Sequence, residues 1–372
     1  MPNRMLNVLI VVLLSCSVVA ECAVPGRAAG TAPEIRMPAD TIGYATDPAQ
    51  IEAVIMLADS LEADRYAANA ERFPLMGERG IGGAIAPHDD YLYAGRVYVH
   101  ALREIRTPLV VLFGVCHAAR RRGLQGKLVF DSFDAWKGPY GDCPVSPLRD
   151  EIIDALPPEM VLVSNELHAG EHSLEAFVPL LQYYNRNVRI LPVLVTRLEG
   201  PLFAGAARQM AGVLHEVTRR HGMKLGEDYT ILISADCVHY GDDRWDGRNY
   251  APFGTDREGY EKAVEQDLSI ARTCLARTVS RESIACFRER VERDDLEWPY
   301  TVTWCGVYSI PFGLSVLLGV VERAGREPPT GHLLRYGTSI DPGPLPLGET
   351  GLGVTNINTL RHWVGHAAIG YW

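Results

Sequence analysis

The run Leu109-Val110-Val111-Leu112-Phe113-Gly114-Val115, followed at once by Cys116-His117, decides how this chain is read. A short, continuous apolar run rich in β-branched residues suits a strand buried on both faces, as in parallel sheets covered by helices. Similar runs lie at 81–86 (IGGAIA), 188–195 (VRILPVLV) and Tyr229–Ser234 (YTILIS). Helical periodicity marks the stretches 50–68, 95–105, 146–156, 173–184, 202–220 and 260–278. Strand followed by helix, repeated, implies βαβ units. The expected fold is therefore α/β, a single domain over 34–372 with a mainly parallel central sheet flanked by helices. The segment 362–371 reads as a last strand or a tucked tail, and no internal repeat is visible.

Composition narrows the function. Of 372 residues, 47% are hydrophobic and 22% charged, which argues against disorder. With 36 Lys+Arg against 46 Asp+Glu, the net charge of −10 argues against nucleic acid as the partner. The short basic run Arg120-Arg121-Arg122 reads as a solvated loop. Eight cysteines are too few for a disulfide scaffold. Two of them, Cys274 and Cys286, fall in or near helices, where a disulfide and unpaired packing are both open. At the N-terminus, Arg4 precedes an apolar run over 5–14 that is too short to span a bilayer, and small residues follow. Residues 1–20 read as a signal peptide cleaved after Ala20, with 21–33 as a tether. Leu14-Ser15-Cys16 offers lipoprotein processing as the alternative. The expectation is an exported, periplasmic protein that meets the membrane only through a lipid anchor.

In open α/β sheets, ligands bind beyond the carboxyl ends of the strands. The run at 81–86 is followed by Pro87-His88-Asp89-Asp90-Tyr91, and Leu109–Val115 by Cys116-His117. Tyr229–Ser234 is followed by Ala235-Asp236-Cys237-Val238-His239. Three strands thus end near a histidine in a chain that holds only 11. A fourth cluster, His168-Ala169-Gly170-Glu171-His172-Ser173, stands at a predicted helix start, with Ser173 as N-cap and a helix dipole suited to an anion. Thr303-Trp304-Cys305-Gly306 lies in a further loop. Imidazole and thiolate are ligands for iron, zinc or copper, and two histidines and a cysteine on separate loops can leave positions open for a reactant.

These residues resemble the Memo family, including the bacterial AmmeMemoRadiSam system protein B group. Ile35-Arg36…Pro38-Ala39…Gly43-Tyr44-Ala45-Thr46-Asp47-Pro48 is similar to the family's opening motif. The segment from Pro87 to Gly95 resembles PHAGYxYSG, Gly114-Val115-Cys116-His117 resembles GPxH, and Gly138-Pro139-Tyr140-Gly141 stands where TPLG is usual. The stretch from His168 to Glu175 resembles HxxEHSLE, Ser234 to Tyr240 resembles SSDLSHY, Cys305-Gly306 matches a CG pair, and Val364 to Ile369 resembles VGYAAI. The resemblance implies a fold like that of class III extradiol ring-cleaving dioxygenases, with a cysteine replacing the carboxylate of the iron site. It implies His88, His117 and Cys305 as metal ligands, and Asp236, His239 and His172 as residues that support the ligands or move protons. The implied metal is divalent, Fe(II) foremost, with copper or zinc as alternatives.

Three functions follow from that site: a metal-dependent oxidoreductase, a binding module for a small-molecule or peptide ligand, or a zinc hydrolase. A functional link to radical-SAM and AMMECR1-like proteins is implied by the resemblance alone. One departure is local: Asp89-Asp90 replaces Ala-Gly after the first histidine. Those carboxylates either orient His88 or sit in a solvent-facing turn.

Overall fold

The four apolar runs lie side by side at the centre of one sheet. The structure, a computed structural model, describes residues 32–73, 76, 80–292 and 302–372. The predicted signal peptide and nearly all of the tether lie outside the described residues. Residues Pro33–Trp372 form one compact unit. Its strands are β1 (Ile35–Arg36), β2 (Gly83–Ala86), β3 (Leu109–Val115), β4 (Leu128–Phe130), β5 (Ala135–Gly138), β6 (Gly141–Pro144), β7 (Val161–Val163), β8 (Arg189–Val195), β9 (Tyr229–Ser234), β10 (His239–Gly241), β11 (Gly331–Thr338) and β12 (His362–Tyr371). Its α-helices are α1 (Pro48–Leu61), α2 (Ala63–Arg72), α3 (Tyr91–Leu102), α4 (Leu148–Ala155), α5 (Asn165–Ala169), α6 (Phe177–Tyr184), α7 (Gly200–Arg220), α8 (Arg257–Ile270), α9 (Arg281–Val291) and α10 (Ser309–Arg323).

The main sheet runs β10-β12-β2-β9-β3-β8-β4-β7, with β11 paired to β12. Its core, β2-β9-β3-β8, is parallel throughout. The flanks are not: β12 is antiparallel to β2, β10 and β11, and β4 is antiparallel to β8. The sheet is therefore mixed, which corrects the expectation of a mainly parallel one. Long apolar runs mark only strands covered on both faces, so the short β4 and β10 and the arginine-bearing β11 gave no such signal. A separate small sheet joins β1, β5 and β6.

Both faces of the main sheet are covered. Along β3, Val111 and Phe113 pack into a core with residues of α4, α7, α9 and α10, while Val110 and Leu112 pack into one with α1, α3 and α6. Phe113 is fully buried, edge-on to Phe312 of α10 at 5.2 Å. Burial of each such side chain stabilises the fold by roughly 1.5–3 kcal/mol.

Helix boundaries differ where local chemistry intervenes. The stretch 50–68 is two helices: Asp47 and Gln50 form a capping box for α1, and the chain breaks at Glu62. That break buries the Glu62 carboxylate, which pairs with Arg96, His100 and Arg335. The helix expected from Ser173 starts at Phe177, so Ser173 is not its N-cap and no helix dipole points from there. Helix α8 ends at Ile270 and continues as a π-helical turn over Ala271–Leu275. Cys274 of that turn is disulfide-bonded to Cys286 of α9.

Candidate metal centre

Three neighbouring strands, β2, β9 and β3, end at the same edge and deliver His88, Asp236 and His117. His88 is 2% exposed, and its network assigns its tautomer. Ser234 Oγ donates to the Ser173 carbonyl, so it accepts from His88 Nδ1 at 2.8 Å. The proton therefore sits on Nδ1, and Nε2 presents its lone pair. That nitrogen lies 3.4 Å from Asp236 Oδ2 and 3.5 Å from Cys305 Sγ. The His88 backbone N–H donates to Asp236 Oδ1 at 2.8 Å, and the Asp236 N–H donates to Cys305 Sγ at 3.0 Å.

His117 is oriented by Glu171. Its Nδ1 is 2.8 Å from Glu171 Oε1 and its backbone N–H donates to Oε2 at 2.8 Å, which leaves Nε2 as the ligand atom. Glu171 is anchored by β1: Arg36 donates to the Glu171 and His168 carbonyls and pairs with Glu175. Two close backbone approaches hold the frame. A Cβ at Gly114 would stand 2.6 Å from Leu174 Cγ, and one at Gly306 would stand 2.3 Å from Ala235 Cβ. Only glycine lets the 168–175 loop and the Cys305 turn lie this close to the strand ends.

Two ligand-type groups result, each with its donor atoms within 4.8 Å of one another: His88, His117 and His172, and His88, Asp236 and Cys305. The expected trio of His88, His117 and Cys305 is thus divided between two overlapping groups that share His88. His172 and Asp236, expected to support, take ligand-type positions. The His172 ring stacks on His117 at 4.7 Å. His239 lies apart from both groups, its Nδ1 3.2 Å from the Thr303 carbonyl and 3.3 Å from that of Cys237, which places the proton there and leaves Nε2 free of it.

The charge states fit a site for a cation. Burial, then the neighbouring His117 and His172, push His88 well below the usual histidine value. Burial and His117 lower His172 to about 4, and burial lowers His239 to about 4. Burial and the Asp89 charge raise Asp236 to about 7. Burial and Asp236 push the Cys305 thiol well above its usual range. For His117, burial works against protonation, but the Glu171 charge prevails and the value rises. Neutral His88, His172 and His239 leave lone pairs free, and a divalent cation would ionise the acid and the thiol beside them.

The centre stands between two clefts. One, of about 430 Å³, is lined by His88, His117, His172, Asp236, His239 and Trp245 among others. The second, of about 380 Å³, is lined by His117, Cys305, Cys116, Arg120, Arg197 and Tyr308 among others. His117 borders both.

Several contributors escaped the sequence reading. Glu171 sat beside the singled-out His172, and its place in the EHSLE segment was the available signal. Ser234 ends a strand and looked like an ordinary terminal residue. Asp89 is not a solvent-facing turn residue: its Oδ2 lies 2.8 Å from Nε2 of His366, which stands where the resemblance has tyrosine. Asp90 is buried and accepts from the Thr355 N–H and hydroxyl. Trp304 is core, 1% exposed, its indole N–H donating to Asp267.

Fold and site together define an α/β domain with ligand-type groups able to hold a divalent metal at the carboxyl edge of its sheet. The model of Memo-like proteins matches residues 52–341, and the chain belongs to that family. It is similar to MEMO1 family proteins of Methanothermobacter thermautotrophicus (28% identical over 45% of this chain and 57% of that protein) and Aquifex aeolicus (35% over 42% and 53%). A longer match, 27% identical, covers 70% of this chain and 77% of a Methanopyrus kandleri member. Against the first two, the chain spans little more than half of the relative's length. A solved structure, an uncharacterized protein from Escherichia coli K12, aligns with 77% of this chain and 98% of its own at 12% identity, with a TM-score of 0.38, too low to define a shared fold.

Proposed function

We propose that this protein is a metal-dependent oxidoreductase with a non-haem iron centre of the extradiol dioxygenase kind. The observation that carries the reading is His88 Nε2, a deprotonated imidazole nitrogen shared by two three-residue donor groups and facing Cys305 Sγ and Asp236. His88, His117 and Cys305 would hold the metal, with His172 and Asp236 close enough to join or replace them. A nitrogen and sulfur donor set suits iron, copper and zinc alike, and iron is favoured by the dioxygenase likeness.

When bound, the metal supplies a redox-active Lewis-acidic centre with open positions. The protein's own groups do the rest. Glu171 and Ser234 fix which nitrogen of each histidine faces inward. His172 and His239, both neutral at pH 7, are placed in the cleft to accept a proton from a bound hydroxyl group. Export is proposed with it. The disulfide Cys274–Cys286 supports an oxidising compartment, and among the described residues no helix is long and apolar enough to cross a membrane.

The experiment is metal quantification on anaerobically purified protein, followed by oxygen uptake with catechols. One equivalent of iron and turnover are expected. Equal metal content in the wild type and in a His117→Ala/Cys305→Ala double variant would overturn the assigned centre. Zinc retained through purification without redox activity would instead support a hydrolase.

A further inference from the structure

The larger cleft has a charge pattern that the metal reading does not use. Among its described lining residues are four aspartates, Asp40, Asp89, Asp90 and Asp236, and neither lysine nor arginine. Hydrogen bonds hold these carboxylates in place. Asp40 accepts from the Ile42 and Gly43 N–H groups, Asp90 from Thr355, and Asp236 from the His88 N–H. Asp89 accepts from the Asp90 N–H and faces His366, which pairs with it. The second cleft, across His117, carries Arg120 and Arg197 instead.

Two further features of the larger cleft point to a ligand. One wall is aromatic: Trp245 stacks on His362 at 4.0 Å and lies 5.8 Å from Tyr250, with Tyr93 also lining the space. The amide oxygen of Asn358, another lining residue, is buried with no hydrogen-bond partner in the protein and so is left to accept from a donor. A volume of about 430 Å³ suits a single-ring compound.

We propose that this cleft selects a small aromatic molecule bearing an amine, its ammonium group held by the aspartates and its ring laid against Trp245. A carboxylated ring compound would meet four acids and neither lysine nor arginine among the described lining residues. An ammonium gains charge-assisted hydrogen bonds to fixed carboxylates and cation–π attraction from the indole. The inference rests on the cleft being the substrate side of the metal centre, but it concerns ligand charge and holds for the metal-free chain.

The test is titration calorimetry on the metal-free, full-length protein with tyramine, its neutral analogue para-ethylphenol and its carboxylate analogue phloretic acid. Tyramine is expected to bind about 10-fold or more tightly than phloretic acid. The preference over para-ethylphenol should shrink in Asp89→Asn/Asp90→Asn. Should that double variant not fold, Asp40→Asn, at a partly exposed carboxylate, is expected to shrink the preference in the same direction. Phloretic acid binding as tightly as tyramine, or no binding by any of the three, would overturn the proposal. Iron quantification on the same preparations separates the two readings. Protein that loads iron but shows no preference for the amine refutes only this inference. Protein that prefers the amine but loads no iron refutes only the metal reading.

Discussion

The substitution Glu171→Gln isolates what orients His117. In the wild type, one carboxylate accepts from His117 Nδ1, from the His117 backbone N–H and from the Ser173 N–H, at 2.8, 2.8 and 3.0 Å. Glu171 is 4% exposed. Burial alone would raise its pKa, but the His117 charge and hydrogen bond overcome this and hold it at about 2, against an ordinary 4.5. That difference corresponds to roughly 3 kcal/mol of preference for the charged form. Glutamine keeps the shape but has one accepting oxygen. Its NH2 then meets a donor, so a buried N–H loses its partner at a cost of about 1–3 kcal/mol. The free imidazole is no longer held in one tautomer, and metal affinity should fall ~10–100-fold. The assay is competition with a chromophoric chelator under anaerobic conditions, alongside thermal unfolding of the metal-free protein. If stability falls as expected while affinity stays within about 2-fold of wild type, well short of the loss expected for a residue orienting a ligand, then His117 is not a ligand and the argument for its tautomer is wrong.

Four other outcomes are expected. Burial works to raise Glu62, but the His100 hydrogen bond and the Arg335 and Arg96 charges hold it at about 2. A depressed carboxylate stabilises above its unfolded value, so about 3 kcal/mol should be present above pH 4.5 and lost as pH falls toward 2. Urea unfolding of wild type and Glu62→Gln across that window checks it, and a gap that does not narrow on acidification refutes it. Gly114→Ala forces a Cβ to within 2.6 Å of Leu174 and should cost about 1–3 kcal/mol while also weakening metal binding, measured by the same chelator competition. Reducing Cys274–Cys286, which closes a loop of separation 12, should cost about 3 kcal/mol, read from thermal unfolding with and without dithiothreitol. In a double-mutant cycle, the Asp89→Ala/His366→Tyr double variant should lose less stability than the two single losses added together, with a coupling of about 1–3 kcal/mol.

How much was legible follows from what leaves a periodic or compositional trace. The central strands were readable because each is buried on both faces, and β3 and β9 have the expected ends. The histidines and Asp236 were readable because they follow those strands directly. Cys305 followed no strand: it read only as a thiol in a loop, it opens a short 3-10 turn before α10, and the family resemblance named it a ligand. Helix α10 is buried on every side, so its sequence showed an apolar segment with no polar face to set a period. Partnerships between residues distant in the chain, such as Glu171 with His117 or Ser234 with His88, leave no spacing in sequence. They exist only once β2, β9 and β3 are neighbours.

The Asp89–His366 pair shows why one departure from the family pattern would be costly without the other. Asp89 alone would add a carboxylate beside Asp90 and Asp236, two groups that burial and the Asp89 charge push up to about 7. His366 alone would bury an imidazole with neither nitrogen bonded, since its Nδ1 has no partner as it is. Together, at 2.8 Å, each shifts the other toward its charged form: burial opposes both, yet Asp89 is lowered and His366 is raised. Removing one member of such a pair strands the other as an uncompensated buried charge, which is far more costly than replacing both. The pair places a carboxylate oxygen in the wall of the cleft that His88 also lines. The departure from the family pattern therefore bears on the space in front of the candidate metal centre, since Asp89 lines that cleft while His88 keeps its own partners.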